Sequence, residues 1–241
     1  MYKQNMEDGQ SSFAEGRVLL MDKPMEWTSF DVVKKIRTLI RVSKVGHAGT
    51  LDPLATGLLI VCTGKFTKKI NEYMAAEKEY TGSFTLGYTT PTYDLESEPQ
   101  FQSATDHLTP DMIRAATVPF TGEIMQVPPA HSAIKKDGTP SYILARKGKE
   151  VVMEPRKITI SQFEITSIEL PKVYFRVVCS TGTYIRSLAF DFGNQLGCGG
   201  YLSSLRRTRI GEFLVDNALS IPDFVEQFPR PIIAKSNLQD N

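Results

Sequence analysis

The longest unbroken apolar stretch in the chain is Leu58 to Cys62, five residues, and it limits the folds open to the sequence. A helix that crosses a bilayer needs about 20 apolar residues, so no membrane span is expected. A short run that is apolar at every position, rather than at every second one, reads as a strand covered on both faces. Gly46 to Gly57, which leads into it, is rich in small residues and reads as a loop. A loop that delivers the chain into a buried strand is a natural place for a functional site.

The other elements follow from periodicity. Val32, Val33, Ile36, Leu39 and Ile40 fall at helical spacing over Thr28 to Val42, behind a Thr28-x-x-Asp31 capping box. The opposite face of that helix carries Lys34, Arg37 and Arg41, expected to point to solvent. Phe66, Ile70, Tyr73 and Met74 suggest a second helix. Tyr80, Gly82, Phe84, Leu86 and Tyr88 alternate as one face of a strand. Thr109-Pro110-Asp111 opens another helix with a cap and a first-turn proline. Strands follow at about Ile158 to Phe163 and Val173 to Cys179, then a Thr181-Gly182-Thr183 turn and a helix from about Tyr184 to Leu196. Strands mixed with separated helices predict an α+β fold, a mixed and mainly antiparallel sheet flanked by helices.

Composition excludes some classes. With 41% hydrophobic and 23% charged residues the chain is neither disordered nor fibrous. Cys62, Cys179 and Cys198 are scattered and form no C-x-x-C pair, so they read as buried, reduced thiols without metal. The polar first residues lack a signal-peptide core, and a soluble, cytoplasmic protein is expected. A net charge of +1 gives no global sign of a polyanionic partner. Basic residues nevertheless cluster at Lys65, Lys68 and Lys69, at Arg146, Lys147 and Lys149, and at Arg206, Arg207 and Arg209, while Asp94, Glu96 and Glu98 read as a separate acidic loop.

Chemistry concentrates in Gly46-His47-Ala48-Gly49-Thr50-Leu51-Asp52-Pro53-Leu54-Ala55-Thr56-Gly57. Pro53 biases Asp52 toward an extended backbone, which would fix the direction of its carboxylate. Alone, an Asp-Pro is turn chemistry, and His47 could be a packed histidine. The whole string, however, resembles the motif around the catalytic aspartate of the TruB family of tRNA pseudouridine(55) synthases. The similarity continues through Leu20-Met21-Asp22-Lys23-Pro24 and Thr28-Ser29, Lys78-Glu79-Tyr80, Val127-Pro128-Pro129, Gly182-Thr183-Tyr184-Ile185-Arg186 and Leu205-Arg206-Arg207.

The resemblance implies the pseudouridine synthase catalytic fold and an isomerase that converts the T-loop uridine of tRNA to pseudouridine, without metal or cofactor. By the same resemblance Asp52 is the nucleophile, attacking either the ribose or the uracil. Arg186 pairs with it and holds it ionised. Tyr80 stacks on the base and is a candidate for removing the ring proton. His47 attends the flipped-out substrate, and Tyr184 and Leu205 line the base pocket. Read alone, Arg186 is a surface arginine, while Tyr80 and Leu205 are core residues. Residues 125–150 correspond to a thumb-like insertion in which Lys135, Lys136, Arg146 and Lys147 would contact phosphates. His131 departs from the aromatic residue of many relatives.

Residues 1–16 read as a tail and 17–241 as the catalytic domain. The RNA-binding PUA domain found in better-known bacterial members is not expected here. A monomer that holds the T-arm stem-loop is the default expectation. Two rival readings remain: an RNA-binding module that remodels the T-arm without isomerising it, and a nucleotide-dependent enzyme. The second is weak, because Gly64-Lys65 lacks the rest of a P-loop and there is no G-x-G-x-x-G.

Overall fold

The structure, a computed structural model, describes residues 12–132, 134–136, 138–148 and 151–229. Its strands in chain order are β1 (Val18–Lys23), β2 (Val45–Ala48), β3 (Ala55–Thr63), β4 (Lys78–Leu86), β5 (Tyr88–Thr89), β6 (Gln100–Phe101), β7 (Gly122–Gln126), β8 (Lys135–Lys136), β9 (Thr139–Pro140), β10 (Arg156–Glu169), β11 (Lys172–Cys179), β12 (Gly200–Ile210) and β13 (Phe213–Leu214). Nine of them form one sheet in the order β1-β3-β12-β4-β11-β10-β7, with β2 beside β3 and β13 beside β12. Among the described strands of this sheet only β3 and β12 run parallel; the other strand pairings are antiparallel. The mixed, mainly antiparallel sheet of the α+β expectation is therefore present.

The apolar run of β3 is explained by cover on both sides. Leu59 and Val61 pack with Met21, Val32, Ile36 and Phe224, under the helices Ser29–Ile40 and Ile221–Gln227. Leu58, Ile60 and Cys62 face Ala48, Ile210 and Val215. Each such side chain taken from water contributes about 1.5–3 kcal/mol. A third cluster, built on Phe84, Phe175 and Phe192, fixes the Ile185–Gln195 helix against β4, β10 and β11, with the rings of Phe84 and Phe175 stacked at 4.2 Å.

Several boundaries differ from the sequence reading. The loop is shorter than Gly46–Gly57, because β2 pairs with β3, His47 opposite Val61, and leaves only residues 49–54 irregular. Gly46 is small for packing rather than for turning: a Cβ there would come within 2.8 Å of Ile70 Cδ1. The Thr28 capping box forms, with Thr28 and Asp31 bonded reciprocally, and the helix stops at Ile40 with Arg41 in the left-handed region. Arg37 leaves the expected solvent row and donates to Val45 O at 3.1 Å. The helix over Phe66 to Met74 divides into a 3-10 segment, Gly64–Lys69, and an α-helix, Ile70–Ala75. Tyr88 lies beyond the end of β4, in β5 against the edge of Phe101. Phe13, within the segment read as a tail, is buried against Phe228.

The segment read as a thumb-like insertion contains β8, β9 and a helix, Ser141–Arg146. Lys149 and the side chains of Lys135, Lys136 and Arg146 lie outside the described residues; Lys147 is exposed. The three cysteines are buried free thiols. Among the described residues no helix is long and apolar enough to cross a membrane, and no cluster of His, Cys, Asp or Glu could hold a metal.

Candidate active site

Residues 49–54 are clamped from both ends, which is how so short a loop becomes a rigid platform. Upstream of Asp52, the buried Ser29 hydroxyl accepts from Leu51 N at 2.9 Å and donates to Leu51 O at 3.2 Å. Downstream, Pro53 O accepts from Glu26 N at 2.8 Å and from Lys23 Nζ at 3.2 Å. Lys23 is fully buried, donates also to Pro24 O and Trp27 O, and is pushed down to about 8 by desolvation. Beneath the loop the buried Arg207 donates to Gly49 O at 3.1 Å, Thr50 O at 3.5 Å and Leu58 O at 2.7 Å. Gly57 makes that approach possible. Its φ is +102°, and a Cβ would stand 2.3 Å from Arg207 O.

Arg186 enters from the first turn of the Ile185–Gln195 helix. Its Nε lies 2.9 Å from Asp52 Oδ2 and 3.6 Å from Asp94 Oδ2. Its two terminal nitrogens donate to Thr92 O at 3.2 Å and His131 O at 2.9 Å. The arginine side chain is 6% exposed, and that of Asp52 is 39% exposed. The cation is thus fixed in the protein while the carboxylate it holds faces the open cleft. The start of the helix is fixed in turn by Gln126, whose amide oxygen accepts from Tyr184 N at 2.8 Å and whose amide nitrogen donates to Tyr184 O at 3.1 Å.

The cleft in front of Asp52 has a volume of about 700 Å³, and His47, Tyr80, Tyr184, Arg186 and Leu205 share its walls. All six residues singled out from the sequence therefore meet at one place. Leu205 lies on β12, opposite Ala55 of β3 and Gly82 of β4. Tyr80, buried on β4, is paired with Arg207 of β12, and burial pushes its phenol pKa up while the arginine charge pulls it back. Burial and the Arg207 charge push the His47 imidazole down, so it is neutral near pH 7, and its Nδ1 is buried with no partner among the described residues. Burial also raises the Tyr184 phenol.

Sequence reasoning missed several supporting groups. Asp94, placed in a separate acidic loop, is buried against Arg186, and its Oδ1 accepts from Glu96 N. The basic triple near the C-terminal end of β12 splits three ways. Arg206 makes a two-pronged pair with Asp22 at 2.7 and 3.0 Å, Arg207 goes under the loop, and Arg209 pairs with Glu77 at 3.0 Å. Strand alternation sends Arg206 and Arg207 to opposite faces, and this was the available signal. Gln126 carried none.

A family model described as TruB family pseudouridylate synthase (N terminal domain) matches residues 37–185, and one described as tRNA pseudouridylate synthase B C-terminal domain matches residues 186–230. The tRNA pseudouridine synthase B of Flavobacterium johnsoniae is 53% identical, covering 89% of this chain and 96% of the relative. That of Phocaeicola vulgatus is 48% identical, over 89% and 94%. Among solved structures, a Cbf5-Nop10-Gar1 complex contains a chain with a TM-score of 0.71 and 32% identity over 90% of this chain. The match covers 55% of that longer chain, so this chain spans about half its length.

Proposed function

The chain belongs to the TruB family of pseudouridylate synthases and is an isomerase, and from that premise we propose that it converts the T-loop uridine of tRNA to pseudouridine with Asp52 as the nucleophile. The observation that carries the assignment is the Asp52–Arg186 pair: a half-exposed carboxylate held 2.9 Å from a buried guanidinium at the wall of a cleft. Product and substrate are isomers. The bond from ribose C1′ to uracil N1 breaks, a bond from C1′ to C5 forms, the C5 proton leaves and N1 gains one. A carboxylate can add covalently and later depart, so no oxidant or cofactor enters the balance.

Asp52 Oδ2 is engaged by Arg186, which leaves Oδ1 to attack either the ribose or the ring. Tyr80 and Leu205 offer surfaces on which a uracil can be sandwiched, the way unpaired RNA bases are commonly held. Extracting the base from the T-loop costs a few kcal/mol of stacking, and on this reading His47, neutral and at the cleft wall, fills the space it vacates. Tyr80 is buried as a neutral phenol, which suits stacking; removal of the C5 proton would require the phenol to lose its own proton first. The enzyme is proposed to act as a monomer in the cytoplasm, gripping the T-arm between cleft and thumb.

The substrate assignment is tested by presenting unmodified T-arm and anticodon stem-loops of equal length and scoring pseudouridine by carbodiimide adduct formation. Product in the T-arm at the one loop uridine supports it. Equal product in both stem-loops contradicts it.

A further inference from the structure

Among the described residues four cations are buried around the cleft, and three are accounted for. Arg186 holds Asp52 and Asp94. Arg207 and Lys23 are each satisfied by three backbone carbonyls of the Asp52 loop and its surroundings. The fourth is Lys78, at the start of β4. It is 5% exposed, yet it lines the cleft, and among the described residues its ammonium donates to one acceptor, Met74 O. An ammonium has three hydrogens to donate. No carboxylate of a described residue lies within ion-pair distance of it. Its sequence neighbours Glu77 and Glu79 are engaged elsewhere, Glu77 by Arg209 and Glu79 by Arg176 and Arg209. Across the strands it faces Ile210 of β12 and Cys179 of β11, whose thiol is raised to about 12 and therefore supplies no negative charge. Burial and the nearby Arg207 push Lys78 down to about 8.

A buried charge without a counter-ion is costly and is retained where something repays it. Lys78 stands two residues before Tyr80 on the same strand, so the two side chains project from one face. We infer that Lys78 is a phosphate-binding residue of the cleft, pairing with a backbone phosphate beside the nucleotide that enters against Tyr80. The inference rests on the reading of the chain as an RNA uridine isomerase. Lys78 supplies the missing anion's partner from within the active site, apart from any contacts made by the thumb.

The test measures the affinity of a T-arm stem-loop for wild type, Lys78→Met and Lys78→Gln over a range of salt concentrations. Each lost phosphate contact makes the slope of log affinity against log salt shallower by about 0.7 to 0.9. Both variants are expected to show that change, with affinity reduced about tenfold at low salt. A folded variant with the wild-type slope overturns the inference, because a purely structural lysine would weaken binding without altering ion release. Should neither variant fold, calorimetry of wild type at pH about 8.5 in two buffers decides. Pairing with phosphate raises the lysine pKa and requires proton uptake on binding, and its absence overturns the inference. A wild type that neither binds nor converts the stem-loop defeats the functional reading itself, and a converting wild type with an unchanged Lys78 slope defeats only this one.

Discussion

Arg186 stands 2.9 Å from Asp52, and the two differ sharply in freedom: the arginine is locked by carbonyls of Thr92 and His131, while the carboxylate opens onto the cleft. The direction of the proposed nucleophile is therefore set by a buried residue. Asp94, 3.6 Å from the same nitrogen, is the second anchor of that arginine. Asp94→Asn removes the charge and keeps the size. Single-turnover isomerisation is expected to fall about 100-fold, the scale on which small misplacements at a reacting centre act, with RNA affinity changed less than about threefold, a small binding difference. Quench-flow kinetics and filter binding separate the two.

Tyr80→Phe distinguishes ring from hydroxyl. On the proposed reading the phenyl ring of the variant keeps the stacking surface, so RNA affinity should hold. If the hydroxyl takes part in proton transfer, the chemical step slows by about 100-fold or more. A rate within twofold of wild type confines Tyr80 to stacking, the role its buried, neutral phenol fits most simply.

Gly57→Ala probes the contact between the loop and Arg207. A Cβ would meet the Arg207 backbone at 2.3 Å in a backbone conformation that L residues rarely adopt, so strain and clash add. Urea denaturation should show a loss of about 3 kcal/mol or more. Loss of under about 1 kcal/mol would mean that β3 and β12 separate at little cost.

His47 gives a pH signature. Its native pKa lies below the ordinary value of 6.5, so below pH 6.5 the unfolded chain binds more protons than the native one. Stability is complete above about pH 6.5 and falls as pH drops from there through the native pKa. Comparing urea stability at about pH 7.5 and pH 5.5, wild type should lose stability while His47→Gln loses less. Equal losses would remove His47 as the cause.

The loop string and the Gly182 to Arg186 segment were legible in the sequence because the residues of each lie side by side. Asp94 was not, since 92 positions separate it from Arg186 and only the fold brings the two together. An acidic triple such as Asp94, Glu96 and Glu98 looks like a solvated loop until one member turns inward. Arg207 was hidden for a different reason. β12 is a central strand, but its second half reads Leu-Arg-Arg-Thr-Arg, so the apolar alternation that reveals strands is missing. The sheet compensates with carbonyls and carboxylates rather than apolar contacts. Lys78 was legible as part of a family motif, but its lack of a carboxylate partner is visible only in three dimensions.

The most direct test of the account uses an unmodified T-arm stem-loop tritiated at uracil C5, with tritium release followed for wild type and Asp52→Asn alongside RNA binding by both. Release by wild type and none by Asp52→Asn, with binding retained in each, is the expected result. Release by Asp52→Asn at the wild-type rate, or none from a wild type that binds the RNA, would contradict the assignment of Asp52 as the nucleophile of this isomerase.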